Sequence, residues 1–227
     1  MSSSGLPLLT SGQVRELDRL SSERFGVRVD WLMEAAGWQV ARFLSEPTAV
    51  VCGIGNNAGD GLAAARHLYR AGRLACVCCV DADRLKGPAA RELEALQRVG
   101  VEVSSVLVLD GATLVADAIF GTGLSRAPEG RFAKWIRAIN GSGLRVVAVD
   151  LPSGLDADSG VAYSPCVRAD VTVTLGLPKS GMAVGDGPGV CGEVWVADIG
   201  IPAEAYAELM IDVPESLFKE LGAAVRL

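Results

Sequence analysis

Histidine is nearly missing from this chain: among 227 residues His67 is the only one. It sits in a helical stretch after a glycine-rich loop and reads as a packing or surface residue, so a histidine-based triad is not expected. Basic residues do not outnumber acidic ones, and the net charge of −6 argues against a nucleic-acid surface, which shows a basic patch or stripe. No apolar run is long enough to span a bilayer. Met1–Pro7 lacks the cationic start and apolar core of a signal peptide. No Gly-Lys-Ser/Thr follows the glycine-rich loop, which excludes a Walker A phosphate site. Aromatic residues make up only 5% while glycine numbers 27. That balance favours a helix-wrapped parallel sheet with many tight turns over a β-sandwich. The six cysteines, Cys52, Cys76, Cys78, Cys79, Cys166 and Cys191, fit neither a zinc motif nor a disulfide framework. Free thiols in apolar runs of a cytoplasmic protein are expected.

What is present centres on residues 48–69. Thr48 to Cys52 is a short apolar run with β-branched residues and reads as a buried strand. Gly53 to Gly61 holds four glycines and two asparagines and reads as a tight turn. Leu62 to Tyr69 is rich in Ala and Leu and reads as a helix. Strand, glycine loop and helix together aim free N–H groups at a ligand. Gly53, Gly55 and Ala58 satisfy G-x-G-x-x-G/A, and Asp81 follows the next strand, about where a ribose-binding acid sits. Asn56, Asn57 and Asp60 crowd the loop with polar groups that a plain dinucleotide turn does not need. A tight turn with a capping Asp is the alternative.

Along the chain, Thr10 to Phe25 and Trp31 to Leu44 have helical spacing, opened by Thr10 or Ser11 and by Asp30 as caps. Strands are predicted at 48–53, 73–80, 114–120 and 144–151, with a weak one at 101–109, and helices at 60–71, 88–99 and 128–139. Such alternation implies right-handed crossovers and a parallel sheet. After Asp156 helices are expected to stop, with strands at 171–175 and 192–199, a long loop at 176–189 and a short closing helix and tail at 203–227. The predicted architecture is one α/β domain, residues 1–227, with N-terminal helices at 10–45 and a Rossmann-like core at 48–202. It is a three-layer α/β/α sandwich around a mostly parallel sheet.

Three loops leave the carboxyl ends of strands: Gly53–Gly61, Gly121–Ala127 and Pro152–Gly154. In an open α/β sheet such loops share one rim, where ligands bind. Asp150 closes an otherwise apolar strand, where a carboxylate is costly to bury unless paired; it is the leading functional candidate. Asp117 lies inside the strand before Gly121 and either caps a turn or ligates a cation. Asn57, Asp117 and Ser153 all offer oxygen, which suits a hard cation. Cys52, without a histidine neighbour, reads as core. Lys179 is either a contact for an anionic substrate or a solvated loop lysine.

Four segments, Cys52–Leu62, Asp117–Leu124, Val149–Asp156 and Val173–Gly181, together resemble the NAD(P)H-hydrate epimerases, the YjeF N-terminal domain family. Leu32–Gly37 is similar to that family's Met-Glu-Asn-Ala-Gly segment, and coverage runs from about Ser11 to Pro202. The resemblance implies an isomerase that interconverts the R and S forms of hydrated NADH and NADPH (NADHX and NADPHX). A dehydratase that accepts only the S form, driven by ATP or ADP, then completes repair; here it is expected to be a separate protein. The resemblance implies that Asn56, Asn57, Ala58, Gly59 and Asp60 line the substrate site. It places Gly121, Thr122, Gly123, Leu124, Ser125, Arg126 and Ala127 around the phosphates or the nicotinamide end. It gives Asp150 the contact with the hydrated ring, as acid–base, and assigns one K+ per subunit to Asn57, Asp117 and Ser153. A homodimer is expected. Ala58 and Ala35 stand where the family has Gly and Asn. A dinucleotide-dependent oxidoreductase and a non-catalytic nucleotide- or protein-binding module are the competing readings.

Overall fold

In the computed structural model, residues 5–220 and 223–227 are described; residues 1–4 and 221–222 of the expected single domain lie outside them. Helix α1 (Ser11–Glu23) begins with a capping box in which the Thr10 hydroxyl accepts from the Gln13 N–H and the Gln13 side chain accepts from the Thr10 N–H. Helix α2 (Val29–Ala41) starts two residues before the predicted Trp31. Its N-cap is Arg28, without a side-chain cap. Asp30 instead binds Arg28 and Arg91, which corrects its role as cap.

The sheet alternates with helices as expected. In chain order come β1 (Thr48–Cys52), α3 (Asn56–Arg70), β2 (Leu74–Cys79), α4 (Gly87–Arg98), β3 (Val103–Ser104), β4 (Leu114–Ala118), α5 (Gly130–Gly141), β5 (Arg145–Val149) and β6 (Val171–Leu175). One-turn helices α6 (Ser180–Ala183) and α7 (Gly187–Val190) follow, then β7 (Glu193–Ala197), α8 (Ala203–Glu208) and β8 (Ala224–Arg226). The predicted turn 53–61 is shorter than expected, because α3 already starts at Asn56. Helices do not stop after Asp156, since α6 and α7 fold up the glycine-rich 176–189 loop. The 101–109 strand shrinks to two residues, and the C-terminal tail carries an unforeseen strand.

The strand order is β3-β2-β1-β4-β5-β6-β7-β8. All neighbours are parallel except β7 and β8. The direction of winding therefore reverses between β1 and β4, and a doubly wound sheet opens its ligand crevice at that switch point. Alternate strand residues feed two cores. Val50, Cys52, Ala116 and Ala118 pack under Leu62 and Leu68 of α3 and Leu96 of α4. Val51 and Val115 meet Trp135, Ile136 and Ile139 of α5 on the opposite face. The result is the expected three-layer α/β/α sandwich. All six cysteines are free thiols. No helix among the described residues is long and apolar enough to cross a membrane.

Candidate active site

The crevice forms where β1 and β4 part. Gly53 N–H donates to Ala118 O at 3.0 Å, so the two loops run together for one step before diverging. Cys52 is paired with Ala118 across the strands and is fully buried, as expected of a core thiol. Beyond it a cavity of about 480 Å³ opens, walled by Asn56, Asn57 and Asp60 of α3, Gly121–Leu124, Asp150, Lys179 and Asp18 of α1. A second cavity of about 540 Å³ adjoins it and shares Ile54, Phe120, Gly123 and Leu124. Ser125, Arg126 and Ala127 line only the second.

The expected residues divide by placement. Ala58 and Gly59 belong to the stretch assigned to substrate, but neither lines a cavity wall among those described. Ala58 is buried in the apolar core. Gly59 lies so close to α2 that a Cβ there would sit 2.5 Å from Met33 Sδ. Ala35 also lies outside both linings, so neither departure from the family pattern alters a wall. His67 hydrogen-bonds Glu34 at 3.0 Å and packs edge-on to Trp38, away from the crevice.

Asp150 stands one residue past β5 in a left-handed conformation, φ 66°. A non-glycine residue there costs local strain, which surrounding contacts must hold in place. Its Oδ1 accepts from Lys179 Nζ, from the Leu175 N–H at 3.1 Å and from the Thr174 hydroxyl at 3.3 Å. Lys179 is 1% exposed and also donates to Leu175 O at 2.8 Å and Thr174 Oγ1 at 3.1 Å. The solvated-loop alternative for Lys179 is thus corrected: the lysine is buried, and a buried ammonium requires a partner. The pair joins the ends of β5 and β6 at the cavity floor.

Asp117 and Ser153 form a second buried pair. The Ser153 hydroxyl donates to Asp117 Oδ1 at 2.6 Å and the Ser153 N–H to Oδ2 at 2.8 Å. The Phe120 N–H then donates to Ser153 Oγ at 2.8 Å, tying the β4 and β5 loops together. Burial raises the Asp117 carboxyl to about 6, held from rising further by the Ser153 hydroxyl and by the N–H groups of Ser153 and Ile119. Asn57 approaches from the other side of the crevice. A Cβ on Gly121 would lie 3.3 Å from its carboxamide carbon. Both Oδ1 and Nδ2 of Asn57 are buried without a hydrogen-bond partner, although burying an amide unpaired costs about 1–3 kcal/mol. The Asn57 amide oxygen, the Asp117 carboxylate and the Ser153 hydroxyl are all hard oxygen donors, and they are linked through neighbouring residues, Ser153 bonding Phe120 and Asn57 lying against Gly121. No group of three or more His, Cys, Asp or Glu among the described residues could hold a metal.

Two acids facing the cavity complete the site. Burial pushes Asp60 well above the ordinary carboxylate range, with Asp150, Asp18 and Glu92 adding to the effect and Lys179 opposing it. Asp18, which sequence reasoning missed, is raised to about 6 by burial, opposed by Lys179 and reinforced by Asp150. Its one sequence signal was an acid beside Leu17, on the buried side of α1. The native chain keeps this proton between about pH 4 and pH 6, after the unfolded chain has released it. Stability relative to Asp18→Asn therefore falls across that window and stays lower above it. The shift is worth ~3 kcal/mol at full burial, and its partly exposed edge discounts this to about 1–2 kcal/mol. Urea denaturation of both proteins from pH 4 to pH 7 checks the difference; a gap that does not change with pH would refute it.

Residues 29–181 match the family model described as YjeF-related protein N-terminus. The chain belongs to that family. Among its YjeF-related relatives, the bifunctional NAD(P)H-hydrate repair enzyme Nnr of Thermofilum pendens is 43% identical over 206 residues, covering 84% of this chain and 39% of the relative. The NAD(P)H-hydrate epimerase of Dehalogenimonas lykanthroporepellens is 37% identical over 209 residues, covering 87% of this chain and 84% of the relative. That of Rhodopirellula baltica is 33% identical over 218 residues, 91% and 89% of the two chains. The chain thus spans about two fifths of the bifunctional relative and most of the epimerases. The crystal structure of yeast ynu0, YNL200c, superposes with a TM-score of 0.82 at 23% identity, covering 98% of this chain and all of that one, which shows the same fold.

Proposed function

We propose that this chain epimerises the R and S forms of hydrated NADH and NADPH, as a step of nicotinamide nucleotide repair. The observation that carries the reading is the crevice itself. At the switch point of a YjeF-type sheet it brings Asp150–Lys179, Asp60 and the unpartnered Asn57 into one cavity, beside the buried Asp117–Ser153 pair. The hydrated carbon carries a hydroxyl next to the ring nitrogen and is a hemiaminal. Inversion there requires the hydroxyl to lose and regain a proton while the adjacent C–N bond opens and recloses, or the hydroxyl to leave and return on the other face. Both routes need a proton acceptor, a proton donor and stabilised transient charge.

Asp150 is assigned as the acceptor, with Lys179 holding its carboxylate in place. Asp60, whose carboxyl burial pushes well above the ordinary carboxylate range, is assigned to return the proton. Asn57 Oδ1, Asp117 and Ser153 would hold a potassium ion, whose positive charge would fix the loops and offset substrate phosphate. The S product is the form that an ATP- or ADP-dependent dehydratase consumes. The test is epimerisation of purified R-NADHX in potassium and in sodium buffer, followed by a coupled dehydratase assay. Equilibration faster than the spontaneous rate, and faster in potassium, is expected. No acceleration in either salt would overturn the reading and leave a binding module.

A further inference from the structure

The epimerase reading uses the first cavity and leaves the second unexplained. That second cavity is about 540 Å³ and opens off the first across Ile54, Phe120, Gly123 and Leu124. It lies outside the carboxyl end of β2, the strand next to β1 on the side away from β4. Asp81, two residues past β2, is in its wall. In a doubly wound sheet that position contacts the adenosine ribose of a dinucleotide whose pyrophosphate crosses the β1–α3 turn. The Gly53-x-Gly55 turn and Asp81 are therefore the two parts of a dinucleotide fingerprint that ring chemistry alone does not require.

The rest of the wall is built for the same group. Phe120 and Phe132 stand with ring centroids 5.0 Å apart and offer an apolar platform of the kind on which bases stack. Arg84, Arg126 and Arg131 line the cavity against two acids, Asp81 and Glu129, an excess of one positive charge in a chain that is acidic overall. Arg131 is held by the carbonyls of Val80 and Ser105. The Arg84 and Arg126 side chains are exposed and make no hydrogen bond or ion pair among the described residues. Acid alone at the ribose position selects a free 2′-hydroxyl, whereas a nearby arginine accommodates a 2′-phosphate. Arg84 is three residues after Asp81, on the same short turn of helix.

Resting on the epimerase reading, we propose that the second cavity takes the adenosine half of the hydrated dinucleotide. Asp81 contacts the ribose, the Phe120–Phe132 pair lies against the base, and Arg84 with Arg126 faces the 2′-phosphate, so both hydrated cofactors are accepted. The ring end then occupies the first cavity, and Ile54–Gly55 and Gly121–Leu124 carry the pyrophosphate between them.

Two measurements test this, one of them independent of catalysis. Calorimetric titration with adenosine 2′,5′-bisphosphate, which carries no nicotinamide, should show binding that Arg84→Glu weakens about tenfold or more, since it reverses a charge at a phosphate contact. In steady-state epimerisation, the ratio of kcat/KM for NADPHX to that for NADHX should drop by a similar factor in Arg84→Glu, with the loss falling on KM. An unchanged ratio, or bisphosphate binding that is absent or indifferent to Arg84→Glu, would overturn the assignment. Bisphosphate binding that follows Arg84 in a protein without epimerase activity would keep the adenosine cavity and sink only the ring chemistry.

Discussion

Asp150→Asn is expected to lower kcat/KM for R-NADHX by about 10²–10⁴-fold, the range that a positioned proton-transfer group supplies. The substitution is chosen so that chemistry changes and backbone does not. Asp150 sits at φ 66°, a left-handed conformation that Asn tolerates as well as Asp does, and the amide oxygen can still accept from the Leu175 N–H. What disappears is the charge opposite Lys179, so this variant also leaves a buried ammonium unpaired and loses stability. Its activity is therefore compared at a temperature and urea concentration where it is folded. The complementary variant, Lys179→Met, should act first on stability. It strands a carboxylate that is 8% exposed and already held in a strained conformation, and breaking a buried pair by removing one partner costs about 3–5 kcal/mol. The double variant Asp150→Asn/Lys179→Met leaves neither charge unpaired and should be more stable than Lys179→Met alone. Urea denaturation of the three variants, run beside the epimerase assay, separates the two effects. Full activity in Asp150→Asn would end the assignment of Asp150 as proton acceptor. A Lys179→Met protein as stable as the parent would mean that the ion pair does not hold the site together.

The parts of this site that could be read in the sequence are those fixed by local chain chemistry. Apolar strands ending in glycine, aspartate or proline announced the β1, β4 and β5 rim, and with it Asn57, Asp117, Asp150 and Ser153. What escaped depends on contacts between distant segments. Helix α3 begins at Asn56 although Asn, Gly59 and Gly61 are weak helix formers. The helix is held there by close packing: a Cβ on Gly61 would lie 2.4 Å from the Ala118 Cβ of β4, so glycines that suggest a loop are the ones that let the helix sit flat on the sheet. Lys179 could be read as solvated because its partner lies 29 residues upstream, brought to it only by the β5–β6 crossover. Strand β8 has three residues and pairs antiparallel at the sheet edge. That is too short for an alternating pattern to appear.

Gly53→Ala is expected to cost about 3 kcal/mol or more and to lower epimerase activity with it. Gly53 is hydrogen-bonded through its N–H to Ala118 at the end of β4, and its backbone passes so near Ile119 that a Cβ would lie 2.0 Å from the Ile119 carbonyl oxygen. Overpacking typically costs 1–3 kcal/mol when side chains can yield, but here the obstacle is main chain, so the strand ends themselves must separate. Separation strains the Gly53 N–H bond to Ala118 O. It also shifts residues 119–121, which join the Ser153 hydroxyl at Phe120 to the Asn57 carboxamide at Gly121. A displaced crevice follows from the same clash as the lost stability. Gly55→Ala is the control: a Cβ on Gly55 would meet nothing within 4 Å, and its φ of −108° is extended, so this variant's stability should stay within about 0.5 kcal/mol of the parent. Urea denaturation of the two alanine variants decides the matter. Equal stabilities would mean that the β1 and β4 loops can part without loss, and that the switch-point crevice is not held by this contact.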